Sequence, residues 1–236
     1  MDTIDDLLEI KRNLEALIER LRIGSKASEG GNGLLTPKQD SNVPTTPSRP
    51  SVAIVVGHSR RGDQGAVATD DATSEWVYNN ELAWMIQDHL PRSIHSIVVD
   101  TIPENTYTKA VKYLSKTLNP LNLALVVELH FNSGPPHAQG YEIFHWASST
   151  KGKQAAKNIL HKLNRAFPNN INRGTKQRNS TAQRGGRFLK ELNAPALILE
   201  PFFGSSEKEW KFFKNKENKT HLAKAIASGI TSSVTR

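Results

Sequence analysis

The chain has 236 residues, 37% hydrophobic and 23% charged, enough for one sizeable α/β domain with accessory segments. It carries a formal net charge of +8 and no cysteine, which excludes disulfides and thiolate metal sites and leaves His and carboxylate to hold any zinc. No apolar run is long enough to cross a membrane. The acidic start, with Asp2, Asp5 and Asp6, lacks the basic and apolar regions of a secretory signal, so the chain is expected to begin in a cytoplasm.

Residues 4–23 contain no Gly or Pro, and Ile4, Leu7, Lys11, Leu14, Ile18 and Leu21 recur at alternating spacings of three and four. That is the heptad pattern of a coiled-coil seam. Asp2, Asp5 and Asp6 lie at its start and Arg20 and Arg22 at its end, the favourable sense for the helix dipole. So short a helix is marginal alone. It is expected to bury its stripe against a copy of itself, a partner or the main domain, and self-association is the preferred expectation. Residues 24–50 are rich in Gly, Pro, Ser and Thr and read as a flexible tether, because they cannot bury enough apolar surface to offset ordering. The expected organisation is an amphipathic helix at 1–23, a linker at 24–50 and a folded domain at 51–236.

Within that domain, Val52–Val56 reads as a buried strand running into Gly57, His58 and a polar loop. A helix is expected over 75–89, ended by Pro91, then a strand over 94–99 and a helix over 105–118, broken by Pro120. Leu123 to Leu129 is an almost unbroken apolar run, suited to a strand covered on both faces, and it leads into His130 and Asn132. Tyr141 to Trp146 alternates as a strand, and 153–167 has helical spacing. Residues 169–183 are polar and read as loop. A short helix at 187–192, a strand at 194–200 and helices at 207–214 and 221–234 complete the chain. This alternation predicts an α/β fold, a twisted, mostly parallel sheet with helices on both faces.

Three of these strands end in ionisable groups: His58 after the first, His130 at the third and Glu200 at the last. If the strands are parallel neighbours, the three share the carboxyl rim, where open α/β sheets bind ligands. A carboxylate from the helix after the first strand, Glu75 or Glu81, would complete a site of two imidazoles and one carboxylate, as in catalytic zinc centres with an open water position. Alone, a His at a strand end is as compatible with a hydrogen-bonded core residue, and no contiguous H-E-x-x-H signature is present.

Several short motifs carry a family resemblance. Gly57-His58-Ser-Arg-Arg-Gly-Asp-Gln-Gly65-Ala66, Glu75-Trp-Val-Tyr-Asn79, Glu128-Leu-His130-Phe-Asn132-Ser133, Asn172-Arg-Gly-Thr-Lys176 and Pro195-Ala-Leu-Ile-Leu-Glu200-Pro-Phe-Phe203 follow one another. In that order they resemble the zinc-dependent N-acetylmuramoyl-L-alanine amidases, most of all those of bacteriophage endolysins and sporulation cell-wall hydrolases. The likeness spans about residues 51 to 234. It implies zinc ligands at His58, Glu75 and His130 and a catalytic Glu200, with Glu81 an ordinary helix carboxylate. One departure is visible, since Ser59, Arg60 and Arg61 replace the glycines usual after the first His.

The resemblance implies hydrolysis of the amide between N-acetylmuramic acid and L-alanine of the peptidoglycan stem, with Zn2+ as cofactor. A phage or prophage endolysin held in the host cytoplasm until holin-dependent release is the expected setting. The alternative is a virion-associated or wall-binding module that keeps the fold. The positive charge is compatible with anionic wall polymers, and no specific nucleic-acid module stands out. For Glu128 the readings are a partner that orients His130 or an ion pair with Arg. For Glu142, and for Arg173 and Lys176, they are substrate contact or structural pairing.

Overall fold

The structure, a computed structural model, describes residues 49–60, 62–70, 72–104 and 106–235. The helix expected at 4–23, its self-association and nearly all of the expected tether lie outside the described residues. The apolar, β-branched run after Ser51 forms β1 (Ser51–Val56), buried at every residue but the first. The runs at β3 (Leu125–Leu129) and β6 (Ala196–Glu200) are buried throughout. A strand covered on both faces has no reason to alternate, which is why these segments are nearly continuous in hydrophobicity.

The other strands are β2 (His95–Val99), β4 (Tyr141–Trp146) and β5 (Asn172–Arg178), and the sheet order is β2-β1-β3-β6-β4-β5. β1, β2, β3 and β6 run parallel, β4 is antiparallel to β6, and β5 is parallel to β4. The helices are α1 (Glu75–Asp88), α2 (Tyr107–Leu118), α3 (Thr150–Ala166), α4 (Gly186–Glu191), α5 (Glu207–Phe213) and α6 (Lys216–Val234). This is the expected α/β architecture.

Alternate residues of the central strands feed two cores. Val52, Ile54, Val127 and Leu199 join Leu82 of α1, Ile159 of α3 and Ile226 of α6. Ala53, Val55, Val126 and Ile198 join Leu114 of α2 and Phe188 of α4. Each fully buried aliphatic side chain contributes about 1.5–3 kcal/mol relative to exposure, so each core sets the height of its strands firmly. Register decides the rest: Val56 is level with Leu129, and Leu129 with Leu199. The residues that follow these three positions therefore emerge along one rim.

One expectation fails. Residues 169–183 were expected to be loop, but Asn172–Arg178 is an edge strand. Its sequence, Asn-Arg-Gly-Thr-Lys-Gln-Arg, offers no apolar residue because none of its positions is fully buried. Charged side chains on an edge strand also discourage pairing with other chains. Two helices begin earlier than their apolar spacing indicates, at Thr150 and Lys216, because Ser149 and Asn215 cap them through their side-chain oxygens. Among the described residues no helix is long and apolar enough to cross a membrane.

Candidate active site

Glu75 is the anchor of the rim. Ser74 caps α1 by accepting from the Val77 amide, which puts Glu75 in the first turn, where the helix dipole favours a carboxylate. The amide of Ala66 donates to Glu75 Oε2 at 3.2 Å, and that of Phe131 donates to Oε1 at 3.1 Å. The carboxylate is thus fixed by the loop after β1 and by the end of β3 before any imidazole reaches it.

The imidazoles reach it from both sides. His130 Nδ1 lies 2.7 Å from Glu75 Oε1, and His58 Nε2 lies 3.3 Å from Glu75 Oε2. The rings meet edge to face with centroids 5.0 Å apart. The approach needs a residue without a side chain at Gly57, where a Cβ would stand 2.4 Å from His130 Cε1. His58 itself has φ 68°, in the left-handed region that costs a non-glycine residue roughly 1–2 kcal/mol. The turn is held by the Ser59 amide donating to the Asp63 carbonyl at 2.9 Å.

One donor atom from each of His58, Glu75 and His130 lies within 4.8 Å of the other two, so the three could hold a metal ion. Each imidazole also turns its second nitrogen to another carboxylate. Asp63 Oδ2 lies 3.3 Å from His58 Nδ1, and Glu128 Oε2 lies 3.4 Å from His130 Nε2. A carboxylate on the far nitrogen fixes ring orientation and tautomer, as around many metal-bound histidines. The cluster favours positive charge. Burial would raise the Glu75 carboxyl, but hydrogen bonds from His130 and His58 hold it well below its ordinary range. Burial would lower His130, but Glu128 and Glu75 push it well above the usual imidazole value. His58 is raised against the same burial by its hydrogen bond with Glu75.

Glu200 is buried to the same degree with the opposite result. Burial lifts its carboxyl to about 7, the charge of His130 pulls it back, and the charges of Glu75 and Glu142 add to the rise. Its Oε2 has no hydrogen-bond partner. It closes β6 immediately after Leu199, whose carbonyl accepts from the His130 amide at 3.0 Å. A carboxylate so placed can take up and release a proton near neutral pH.

The other candidates sort themselves by contact. Glu81 points away from the rim and pairs with Lys219. Glu128 turns to His130, as the first of its two readings held. Glu142 accepts from Asn132 Nδ2 at 2.8 Å and from Arg173 Nε at 3.0 Å, and Arg173 also lies over the Phe203 ring, so both are structural pairs. Lys176 is exposed on β5. Sequence reasoning passed over Asp63, five residues after His58, although it stood in a quoted motif. It also passed over Arg184, whose guanidinium approaches Glu200. Its only signal was the density of basic residues around it.

The sequence profile of the N-acetylmuramoyl-L-alanine amidase family, Amidase_3, matches residues 52–232. Among curated proteins no relative matches the chain. Among solved structures, the CwlD amidase of Clostridioides difficile, solved with the GerS lipoprotein, is 23% identical with a TM-score of 0.70, covering 79% of this chain and 98% of its own. The catalytic domain of CwlV, an N-acetylmuramoyl-L-alanine amidase from Bacillus (Paenibacillus) polymyxa var. colistinus, is 22% identical with a TM-score of 0.65, covering 78% and 97%. The catalytic domain of an endolysin targeting Clostridia difficile is 25% identical with a TM-score of 0.62, covering 78% and 97%. With a profile spanning nearly all of the folded unit, the chain belongs to the N-acetylmuramoyl-L-alanine amidase family.

Proposed function

We propose that the chain is a zinc-dependent peptidoglycan hydrolase. It cleaves the amide between the lactyl group of N-acetylmuramic acid and L-alanine of the stem peptide. The observation that carries this reading is the meeting of His58, Glu75 and His130 at the rim that Glu200 also closes. Zinc fits these donors. They are two imidazoles and one carboxylate with no thiolate, the set of many catalytic zinc sites. The buried Nε2 of His58 faces Glu75 Oε2 at 3.3 Å, so an ion seated at the cluster would meet both donors.

His58, Glu75 and His130 would hold the ion, with Asp63 and Glu128 keeping the two rings aligned. When bound, zinc supplies an acidified water and polarises the scissile carbonyl. Glu200 takes the proton of the attacking water on its free carboxylate oxygen. It then hands that proton to the departing alanine nitrogen, so that a neutral amine leaves. A carboxyl poised near 7 serves both transfers, because neither protonation state is far from the operating pH.

The cellular setting we infer is a phage or prophage endolysin, kept in the host cytoplasm until a holin opens the membrane. The likeness to an endolysin catalytic domain supports this, and the net charge of +8 suits anionic wall polymers. A purely structural virion-associated or wall-binding module would have no use for the donor set or for a buried Glu200 with one oxygen left free. Mass spectrometry of peptidoglycan digested with and without chelator tests the reaction. Free stem peptides should appear, disappear on chelation and return with zinc. Fragments cut in the glycan strand or within the peptide would refute the assignment. Fractionation of cells before lysis tests the setting: protein in the wall fraction without a holin would count against it.

A further inference from the structure

The flank of Glu200 is built from a segment that the proposed reaction does not use. Between β5 and α4 the chain folds over β6 in a loop held by its own side chains. Gln183 Oε1 accepts from the amides of Asn179 at 2.9 Å and Ser180 at 3.2 Å, and the Gly186 amide donates to the Gln183 carbonyl at 2.8 Å. Arg178 Nε donates to the Arg184 carbonyl at 3.1 Å, while its guanidinium carbon lies 4.1 Å from the centroid of the Phe144 ring. At Gly185, φ is 76°, and a Cβ there would stand 2.3 Å from Ile198 Cδ1. Ile198 precedes Glu200 by two, so on a strand it shares its face. The loop therefore passes in contact with β6 at the point that suspends Arg184 over the catalytic carboxylate.

Arg184 Nη2 lies 4.0 Å from Glu200 Oε1, and 71% of the Arg184 side chain is exposed. At that distance one edge of the guanidinium faces Glu200 without a hydrogen bond, and its other donors stand open to solvent. Glu200 is buried and Arg184 largely exposed, and at 4.0 Å without a hydrogen bond the contact does little to hold a loop that its own side chains already fix. The loop holds the Arg184 backbone beside β6, and the planar guanidinium it carries offers the paired N–H donors that recognise a carboxylate.

We propose that Arg184 is a specificity-determining residue that binds a carboxylate on the residue following the leaving alanine. This rests on the amidase reading of the site. The reach agrees. Glu200 must come within about 3 Å of the alanine nitrogen to protonate it. Arg184 Nη2 lies 4.0 Å from Glu200 Oε1, and two residues of extended chain span about 7 Å, so a group on the second residue is within range of the guanidinium. The ligand class is a muramyl peptide whose second residue carries a free α-carboxylate rather than an α-carboxamide.

The test compares muramyl-L-alanyl-γ-D-glutamyl-L-lysine with the same peptide carrying an α-carboxamide on its second residue, so that the γ-carboxyl is in amide linkage in both, on the full chain loaded with zinc. Wild type should favour the carboxylate about ten- to hundredfold in kcat/KM, mostly through KM, the worth of one charge-assisted hydrogen bond. Arg184→Gln should bring that ratio close to one, and Arg184→Lys should keep part of it. If Arg184 served only to pair with Glu200, its loss would change both substrates alike and leave their ratio intact, which would overturn the inference. Calorimetric binding of the two compounds to Glu200→Gln, with and without Arg184→Gln, gives a readout without turnover. Arg184-dependent binding of the carboxylate without cleavage by wild type would uphold recognition and refute the amidase reading. Cleavage of both compounds with equal kcat/KM by wild type would do the reverse.

Discussion

Glu75 and Glu200 are almost equally buried, at 1% and 3% exposure, yet their surroundings drive them in opposite directions. Around Glu75, two imidazoles and two backbone amides satisfy both oxygens and hold the carboxylate charged. Around Glu200, one oxygen has no partner, and the Arg184 guanidinium stands 4.0 Å from the other. Neighbouring β4 shows that the second state is not forced by the sheet. Glu142, directly across from Glu200, accepts hydrogen bonds from Arg173 and Asn132 on its two oxygens. The contrast teaches a division of labour. One end of the rim is arranged to concentrate positive charge, and the other keeps a carboxyl free to exchange its proton.

Breaking the first region should have the largest effect. His58→Ala or His130→Ala should lose bound zinc by elemental analysis and lower amidase activity by about a thousandfold or more, since each removes a ligand from a group that acts as a unit. Full zinc occupancy in either variant would rule out its role as a ligand. Breaking the second region should separate the two functions. Glu200→Gln should keep its zinc and lose on the order of 10²–10⁴ in rate.

The same variant should sharpen the comparison through stability. Burial raises the folded carboxyl to about 7 from an ordinary 4.5, so the folded state holds the proton more tightly than the unfolded state does. Whatever Glu200 contributes is therefore fully present below about pH 4.5 and is lost as pH rises through 7. The difference is about 3 kcal/mol by the size of the shift. With chelator present, Glu200→Gln should unfold at higher denaturant than wild type at pH 8, and the gap should close by pH 4.5. An equal gap at both values would remove burial as the cause. Activity should likewise fall as pH drops and wild-type Glu200 becomes protonated, and bound zinc should move that fall to lower pH than in the metal-free protein.

The smallest effects belong to the carboxylates behind the imidazoles. Asp63→Asn and Glu128→Gln should each weaken zinc by about 10–100-fold in chelator competition, with the ligands still in place. Asp63 is exposed and Glu128 buried, at 73% and 8% for their side chains, so the Glu128 change should be the greater. The reverse ranking would show that ring orientation is set elsewhere.

Much of this was legible from residue patterns. The apolar runs of β1, β3 and β6 announced strands covered on both faces, and the polar residues at their ends marked one rim as the place for chemistry. β5 was missed because an edge strand with no fully buried position carries neither an apolar run nor an alternation. The starts of α3 and α6 were misjudged because the capping atoms of Ser149 and Asn215, not apolar spacing, decide where those helices begin.

By itself, then, the sequence determined the secondary elements whose burial is strong, the chain order of the candidate ligands and the absence of sulfur among them. Only the tertiary structure decided that Val56, Leu129 and Leu199 stand level, that Glu81 turns to Lys219, and that Arg184 reaches Glu200 from a distant loop. Local spacing encodes which face of an element is apolar. The level at which separate strands end, and the charge that each buried carboxyl meets there, arise from packing between segments far apart in the chain.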